Sequence, residues 1–194
     1  NDNREFTIAD LDDSTVISSV STEAIEQCLA EIKTTIHDDL RIHMDVWTSE
    51  RAFRKSGEIE EAFKLLKDSG LTYEKEGAVW LKATELGEAE DKVLVKSDGE
   101  YAYIMPDIAY HRNKYERKFD YILTFLGADH QGQISKLRAA MKALGYDVGQ
   151  LTFVVAQWMS LMREGKEVKP SKRKGNVYSP VDLIEEIGYD AECF

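Results

Sequence analysis

The sequence has 194 residues, of which 43% are hydrophobic and 31% are charged, as is ordinary for a soluble globular protein rather than a disordered one. Its net charge of -11 argues against nucleic-acid binding through bulk electrostatics, so any such contact needs a local basic patch. The two cysteines, Cys28 and Cys193, indicate no disulfide framework or zinc cluster and fit a reducing cytoplasm, and no apolar run is long enough to span a membrane.

Two helices are predicted in the first third of the chain, after an acidic, hydroxyl-rich lead-in over residues 1 to about 20. Apolar residues three or four apart predict a helix from Glu23 to Leu40 with one buried stripe, and a second helix from Glu58 to Lys67. The intervening segment 45–50 precedes a helix. We interpret its Thr48 or Ser49 as a cap and its Trp47 as a packing residue.

The middle of the chain changes to a period of two, which predicts antiparallel strands. Residues 71–74 and 78–81 flank a short turn and predict one hairpin. Residues 93–95 and 101–104 predict a second hairpin around a turn that contains Gly99.

After residue 106 the pattern becomes helix, strand, helix, strand, with predicted elements over 107–116, 121–126, 131–144 and 151–158. The first strand is continuously apolar, as in a parallel strand that is buried on both faces. The order predicts a right-handed parallel crossover, whose ligands lie outside the carboxyl ends of the strands.

Two loops follow these strands. Gly127–His130 lies between a strand and a helix, where free amide groups and the helix dipole suit an anion. Asp129 suits hydrogen bonds from ribose hydroxyls and His130 suits donation to an oxygen, or the two are simply a helix cap and a turn residue. The loop 165–176 carries five cations between two glycines and suits a polyphosphate, or is a solvated basic turn; its cations are Lys166, Lys169, Lys172, Arg173 and Lys174.

Tyr103 and Asp107 place a phenol and a carboxylate at a strand-to-helix junction. The carboxylate suits a cationic group such as a guanidinium, to which it makes charge-assisted hydrogen bonds. The alternative is an acid that only complements the helix N-terminus.

Six segments, in this order and spacing, resemble arginyl-tRNA synthetases; they are 45–50, 77–81, 91–95, 107–111, 127–130 and 169–176. The resemblance covers about residues 40 to 194. It implies an α/β fold, namely the second half of a class I synthetase Rossmann-type parallel sheet with an inserted α+β segment of helices and antiparallel hairpins. The implied divisions are a lead-in and helix over 1–40, the insertion over 41–105 and the Rossmann half over 106–194.

The family activates L-arginine with ATP, accompanied by Mg²⁺, and transfers the arginyl group to its tRNA. The resemblance implies that Tyr103 and Asp107 bind arginine. No metal site is expected, because the four histidines show no metal-ligand spacing and no zinc pattern occurs. The resemblance also implies a loop in which Lys169 and Lys172 assist catalysis and in which Pro170 replaces the family's methionine. The implied ATP-binding residues are Gly127, Asp129, His130, Ser171 and Lys172.

One family motif, His-x-Gly-His, does not occur in this sequence. We therefore expect a cytoplasmic fragment that is inactive alone and, because it is acidic, binds tRNA only weakly. A non-catalytic nucleotide- or arginine-binding module derived from a synthetase is an alternative. An unrelated α/β nucleotide-binding enzyme is another.

Overall fold

The computed structural model describes residues 14–157, 160–163, 166–167 and 179–193. They belong to two compact units: a terminal unit, from the described parts of Asn1–Trp47 and Leu161–Phe194, and a central unit, Thr48–Ser160. Among the described helices, none has the length and hydropathy needed to cross a bilayer. The division at residues 40 and 105 implied by the resemblance stays a prediction.

The terminal unit begins with α1, Ser14–Thr34, which a π-helical turn, Thr35–Asp39, extends. The predicted helix is therefore present and begins earlier than expected. The predicted buried stripe is wrong, because α1 buries none of its residues, and the stripe residues Ile25, Leu29 and Ile32 are exposed. An apolar period defines a face, but burial also requires an element packed on that face.

The C-terminal part of the terminal unit has a short antiparallel hairpin, β6 (Met162–Arg163) with β7 (Lys166–Glu167), and two helices. Helix α6, Pro180–Ile187, begins with a reciprocal capping box between Ser179 and Asp182. Helix α7, Tyr189–Cys193, contacts the end of the π-helical turn. The Tyr189 hydroxyl donates a hydrogen bond to the Leu40 carbonyl at 3.1 Å.

The central unit starts with α2, Glu50–Lys55, and α3, Glu58–Asp68. Ser49 caps α2, as predicted, because its hydroxyl accepts a hydrogen bond from the Ala52 amide at 3.3 Å. Helix α3 matches its predicted position and packs against α4 (Ile104–Glu116) through an apolar face of Ile59, Ala62 and Leu66.

Three antiparallel strands follow: β1 (Thr72–Lys75), β2 (Ala78–Leu81) and β3 (Lys92–Val95). The first predicted hairpin is confirmed. The second is wrong in part, since only an isolated bridge joins Val95 to Tyr101 and the chain enters α4 at Ile104. Pro106 favours this helix start, because the first turn of a helix needs no amide hydrogen there.

The predicted parallel crossover is confirmed. Strand β4 (Ile122–Gly127) pairs in parallel with β5 (Leu151–Ala156), from Ile122 opposite Leu151 to Gly127 opposite Ala156. Between them lie a 3-10 turn, Ala128–Gln133, and α5, Ile134–Ala143, so α5 begins later than predicted. Trp158, at the end of the predicted second strand, lies outside the described residues.

Strand β4 is buried on only one face. Ile122 and Thr124 point into the core, while Leu123 and Phe125 are 57% and 70% exposed. The expectation of burial on both faces is therefore wrong for this chain, because the described elements cover only the side on which α4 and α5 lie. Packing on this one face holds β4 and the N-terminal half of α4 in place. The candidate site lies there.

Candidate functional site

An open cavity of about 300 Å³, here called the acidic cavity, lies between the start of α2 and the first turns of α4. Its volume is at the lower end of the range of about 300–1,000 Å³ that is usual for small-molecule sites. Tyr103, Asp107 and Tyr110 recur at intervals of four and three on α4, and this spacing puts them on one face. The lining is completed by Thr48, Glu50, Phe53, Arg54 and Pro106.

The structure brings together the two residues predicted to bind arginine. Tyr103 is 73% exposed at the start of α4, and Asp107 is half-buried one turn later. Burial raises the pKa of the Asp107 carboxyl above its ordinary value of 3.8, and the negative charge of Glu50 raises that pKa further. The positive charges of His130, Lys114 and Arg54 oppose both effects.

Glu50 is a site residue that the sequence did not identify. We interpreted the segment that contains Glu50 as a helix cap and a packing residue, and the cap is confirmed, because Ser49 caps α2. Glu50 also accepts from Arg54, with its Oε1 2.8 Å from Arg54 Nη2, and it lines the acidic cavity. Only the packing of α2 beside α4 places it near Asp107, so no local pattern could have indicated it.

A second cavity of about 380 Å³, here called the adjoining cavity, shares Tyr103, Asp107 and Tyr110 with the acidic cavity. Its further lining comes from the end of α4, from β4 and from the start of α5. The polar members of this lining are His111, Lys114, Thr124, His130 and Gln133.

Three side chains in the adjoining cavity form a hydrogen-bonded chain. His111 Nδ1 lies 2.8 Å from the Asp107 carbonyl oxygen, which can only accept, so Nδ1 carries the proton. Burial, and then the charge of Lys114, lower the pKa of His111 to about 4, so the ring is neutral at pH 7. Its Nε2 therefore accepts from the Thr124 hydroxyl at 3.2 Å, and Lys114 Nζ donates to Thr124 Oγ1 at 3.0 Å.

The residues predicted on the ATP side lie at the end of β4. Gly127 has ordinary extended backbone angles, and a Cβ there would lie 2.7 Å from Oδ1 of the exposed Asp129 side chain, which would have to shift to make room for it. Asp129 does not cap α5 and lies 3.6 Å from His130 Nε2. His130 lines the adjoining cavity together with Asp107, which puts one residue of each predicted group in a single cavity.

Lys169, Ser171 and Lys172 lie outside the described residues, so their predicted position near the end of β4 stays a prediction. Within the described ranges, no three His, Cys, Asp or Glu side chains are grouped as metal ligands.

The chain was compared with known families and proteins. The family described as "tRNA synthetases class I (R), catalytic domain" matches residues 13–191. The arginine–tRNA ligase of Oceanobacillus iheyensis is 46% identical over 153 residues, which are 79% of this chain and 28% of that protein. The ligase of Shouchella clausii is 41% identical over 181 residues, or 93% of this chain and 32% of that protein. The chain thus spans about a third or less of these relatives.

Solved structures agree with these sequence matches. A Campylobacter jejuni protein assigned as an arginyl-tRNA synthetase superposes with a TM-score of 0.82 at 32% identity, over 92% of this chain and 38% of that one. The Thermus thermophilus arginyl-tRNA synthetase superposes with a TM-score of 0.71 at 19% identity, over 88% of this chain and 34% of that one, and supports the fold alone. The predicted class I synthetase fold is therefore confirmed.

Proposed function

Because the chain belongs to the family of class I arginyl-tRNA synthetase catalytic domains, we propose that it acts as part of an arginine–tRNA ligase. In the proposed reaction an arginine carboxylate oxygen attacks the α-phosphorus of ATP, the bond to the β-phosphate breaks, and pyrophosphate leaves. A hydroxyl of the terminal adenosine of the tRNA then attacks the arginyl carbonyl carbon, and AMP leaves.

The acidic cavity is the observation that supports arginine as the substrate. Glu50 and Asp107 both line it, and the half-buried Asp107 carries a raised pKa. A guanidinium group brings a permanent positive charge and five N–H donors in one plane, which matches two carboxylates better than a point charge does. In this proposal Asp107 and Glu50 bind the guanidinium, and Tyr103 supplies a phenol at the cavity edge.

The ATP side of the proposal rests on the family and on the sequence. We assign Gly127, Asp129 and His130 to the nucleoside, and Ser171 and Lys172 of the basic loop to the phosphates. Lys169 and Lys172 would stabilise the negative charge that develops on pyrophosphate, an effect worth about 10²-fold or more for each preorganised contact. Mg²⁺ would enter with ATP, held mainly by phosphate oxygens and water.

Arginine and its tRNA are then the other partners, and the cytoplasm is the proposed location because charged tRNA is used there. The net charge of -11 gives the chain little general attraction for a polyanion, so we propose that tRNA binding depends mainly on protein outside it. The alternative of a non-catalytic binding module is not favoured, because the curated relatives are named as ligases.

The substrate is tested by calorimetric titration of the 194-residue protein with arginine and with citrulline. Citrulline has a neutral urea group in place of the guanidinium and almost the same shape. We expect arginine to bind at least about 10-fold more tightly, because the charge of the ligand is what the carboxylates recognise. Equal affinity for the two compounds contradicts the proposed arginine cavity.

The activity is tested with a chimera in which this chain replaces the matching segment of the Oceanobacillus iheyensis ligase. We expect arginine-dependent ATP–pyrophosphate exchange and tRNA arginylation by the chimera and neither by the 194-residue chain alone. Turnover of about 1 per second by the chain alone, which is ordinary for an enzyme, would show that it needs no further segment. A folded chimera that binds arginine without exchange contradicts the ligase proposal.

A further inference from the structure

We propose that Tyr110 is a positioning residue of the acidic cavity: it holds the segment 48–53, which contains the start of α2, against α4 so that Glu50 and Asp107 can bind one guanidinium together. The inference rests on the proposed function, because it explains how the two proposed guanidinium ligands are kept side by side. These two carboxylates come from different helices. Tyr110 acts on the substrate through Glu50, by fixing where that carboxylate lies.

Tyr110 and Asp107 are held in a fixed relation by the helix that carries both. They are three residues apart on α4, which is just under one turn, and both line the acidic cavity. Glu50 has no such relation to Asp107, since it is the first residue of another helix. A contact between Tyr110 and the segment 48–53 therefore also fixes that segment relative to Asp107.

Two contacts join Tyr110 to the segment 48–53, one on each side of Glu50. The Tyr110 hydroxyl lies 3.3 Å from the hydroxyl of Thr48, which precedes Glu50, and the two hydroxyls share a hydrogen bond. The Tyr110 ring packs edge to face with the ring of Phe53, which follows Glu50, at 5.7 Å between ring centres. Because both contacts end on one side chain of α4, the backbone that carries Glu50 is held on either side of it.

Two neighbouring hydroxyls at the start of α2 have separate tasks. The Ser49 hydroxyl caps the helix, because it accepts a hydrogen bond from the Ala52 amide at 3.3 Å. The Thr48 hydroxyl bonds to Tyr110 instead. A cap starts a helix but does not place it against another one, so the Thr48 hydroxyl provides an attachment to α4 that the cap cannot.

The Tyr110 ring is itself held in place. The Lys114 ammonium, one turn further along α4, lies 5.0 Å from the centre of the ring, a distance at which a cation is attracted to an aromatic face. Phe53 packs on the same ring, which is partly buried. A ring that is fixed in this way presents its hydroxyl in one direction, as a residue that positions another side chain requires.

The charges around Asp107 supply a signal that reports where the segment 48–53 lies. Among the charged groups that face Asp107, Glu50 raises its pKa, whereas His130, Lys114 and Arg54 lower it. Arg54 is also on α2 and has a smaller effect than Glu50. If α2 moves away from α4, the larger effect of Glu50 is lost with the smaller effect of Arg54, so the pKa of Asp107 should fall.

The experiment follows the titration of the Asp107 carboxyl carbon by NMR in the absence of any ligand. Tyr110→Phe and Thr48→Val each delete one hydroxyl and nearly keep the shape of the side chain. Each should lower the pH midpoint of Asp107, and the double variant should lower it no further, because both changes break the same hydrogen bond. Tyr121→Phe is the matched control, since Tyr121 is 77% exposed and outside the cavity, and it should leave the midpoint unchanged.

A second cycle shows whether Tyr110 acts through Glu50. Glu50→Gln removes the charge and should lower the Asp107 midpoint by itself. In this background Tyr110→Phe should cause no further fall. An equal fall with and without the Glu50 charge overturns the proposal, because Tyr110 would then act on Asp107 directly. Midpoints that stay at the wild-type value in both Tyr110→Phe and Thr48→Val overturn it as well.

Calorimetry connects this positioning to the substrate. We expect Tyr110→Phe and Thr48→Val to weaken arginine binding by about 2- to 10-fold, the equivalent of one hydrogen bond, and Tyr121→Phe to keep the wild-type affinity. Thr48→Ser retains the hydroxyl and should restore both the affinity and the Asp107 midpoint. Weaker binding with an unchanged midpoint shows that Tyr110 contacts arginine itself, and overturns the proposal.

The two measurements fail separately. A wild-type chain that binds no arginine contradicts the proposed function, while the ligand-free titration still decides whether Tyr110 positions Glu50. Thr48 is exposed, so Thr48→Val tests the shared hydrogen bond without disturbing the packing of the Tyr110 ring. A fall of the Asp107 midpoint in Tyr110→Phe that Thr48→Val does not reproduce assigns the effect to that packing and contradicts the attachment through Thr48.

Discussion

Glu50 and Asp107 line the same cavity, and the negative charge of Glu50 raises the pKa of the Asp107 carboxyl. Two like charges are unfavourable near each other, and the partial burial of Asp107 adds to that cost. A bound cation would add to the opposing charges of His130, Lys114 and Arg54, and in the proposed function that cation is a guanidinium. The proposed arginine cavity therefore predicts that both carboxylates contribute to cation binding.

Replacing the Asp107 carboxylate by an amide should therefore weaken arginine binding strongly. Asp107→Asn keeps the shape of the side chain but removes the charge that attracts the guanidinium. We expect a loss of about 1.5–3 kcal/mol, the range for hydrogen bonds to charged groups. Calorimetry on the chain measures the affinity, and KM for arginine in the chimera measures its consequence for activity.

Asp120→Asn is the matched control, because Asp120 is an exposed carboxylate just before β4. It should leave arginine affinity within about 2-fold, since exposed charges outside a site contribute little. Unchanged arginine binding in Asp107→Asn would return Asp107 to the alternative of an acid that only complements the helix N-terminus.

Arginine binding should also depend on pH in a way that reports the raised pKa of Asp107. A protonated carboxyl has no charge for the guanidinium, and burial and Glu50 extend protonation to higher pH than in an ordinary aspartate. Affinity should thus fall as the pH is lowered, starting above the ordinary pKa of 3.8. Calorimetry from about pH 7 down to about pH 4 measures this fall, and Asp107→Asn should flatten it. An affinity that stays constant over that range contradicts the coupling.

The sequence was sufficient to predict the Tyr103–Asp107 pair, because both lie on one turn of a helix and local spacing fixes their common face. It was not sufficient for Glu50, which reaches the cavity only through the packing of α2. Nor could it predict the exposure of Leu123 and Phe125, since an apolar run has the same pattern whether one or both faces of its sheet are covered.

The hydrogen bonds around His111 also depend partly on local sequence spacing and partly on tertiary packing. Asp107 and His111 are an i, i+4 pair, a spacing that by itself predicts a contact on the helix surface, yet His111 turns inward and bonds to the Asp107 carbonyl. Its second partner, Thr124, comes from β4, and its burial follows from the packing of α4 on that strand. Helix periodicity gives the face of His111, but only the tertiary structure gives its tautomer and its pKa.

His111 should make the stability of the chain depend on pH. Its pKa falls from 6.5 to about 4 on folding, so the unfolded chain binds the proton more tightly. This contribution to stability is fully present above pH 6.5 and is lost as the pH falls from 6.5 towards 4. From linkage, about 2 kcal/mol should be lost between about pH 7.5 and pH 5. Urea unfolding at both pH values measures the loss.

To isolate His111, we compare how much the free energy of unfolding changes between the two pH values, rather than the free energy of unfolding at either one. His111→Gln removes the titrating group and should shrink the difference by most of that amount, whatever its stability at neutral pH. His43→Gln is the control, because His43 is exposed in the terminal unit, and it should keep the wild-type difference. If His111→Gln retains the full dependence on pH, other groups cause it.

The basic loop supports a kinetic prediction made from sequence alone. Lys172 lies between two glycines, Gly165 and Gly175, as expected for a segment that closes over a leaving group. Negative charge on pyrophosphate develops only as the bond to the α-phosphate breaks. A lysine that acts on this charge contributes to the transition state and hardly to the binding of ATP.

Lys172→Ala in the chimera should therefore lower kcat for adenylate formation by about 10²-fold and leave KM for ATP within a few-fold. Pre-steady-state measurement of adenylate formation separates this step from product release. Pro170→Met is the matched control: it restores the family's residue and an amide donor while keeping all the charges, so it should change the rate only modestly. A Lys172→Ala chimera with normal kcat and a raised KM for ATP would make the loop a simple binding patch, because the lost contact would then exist already in the ground state.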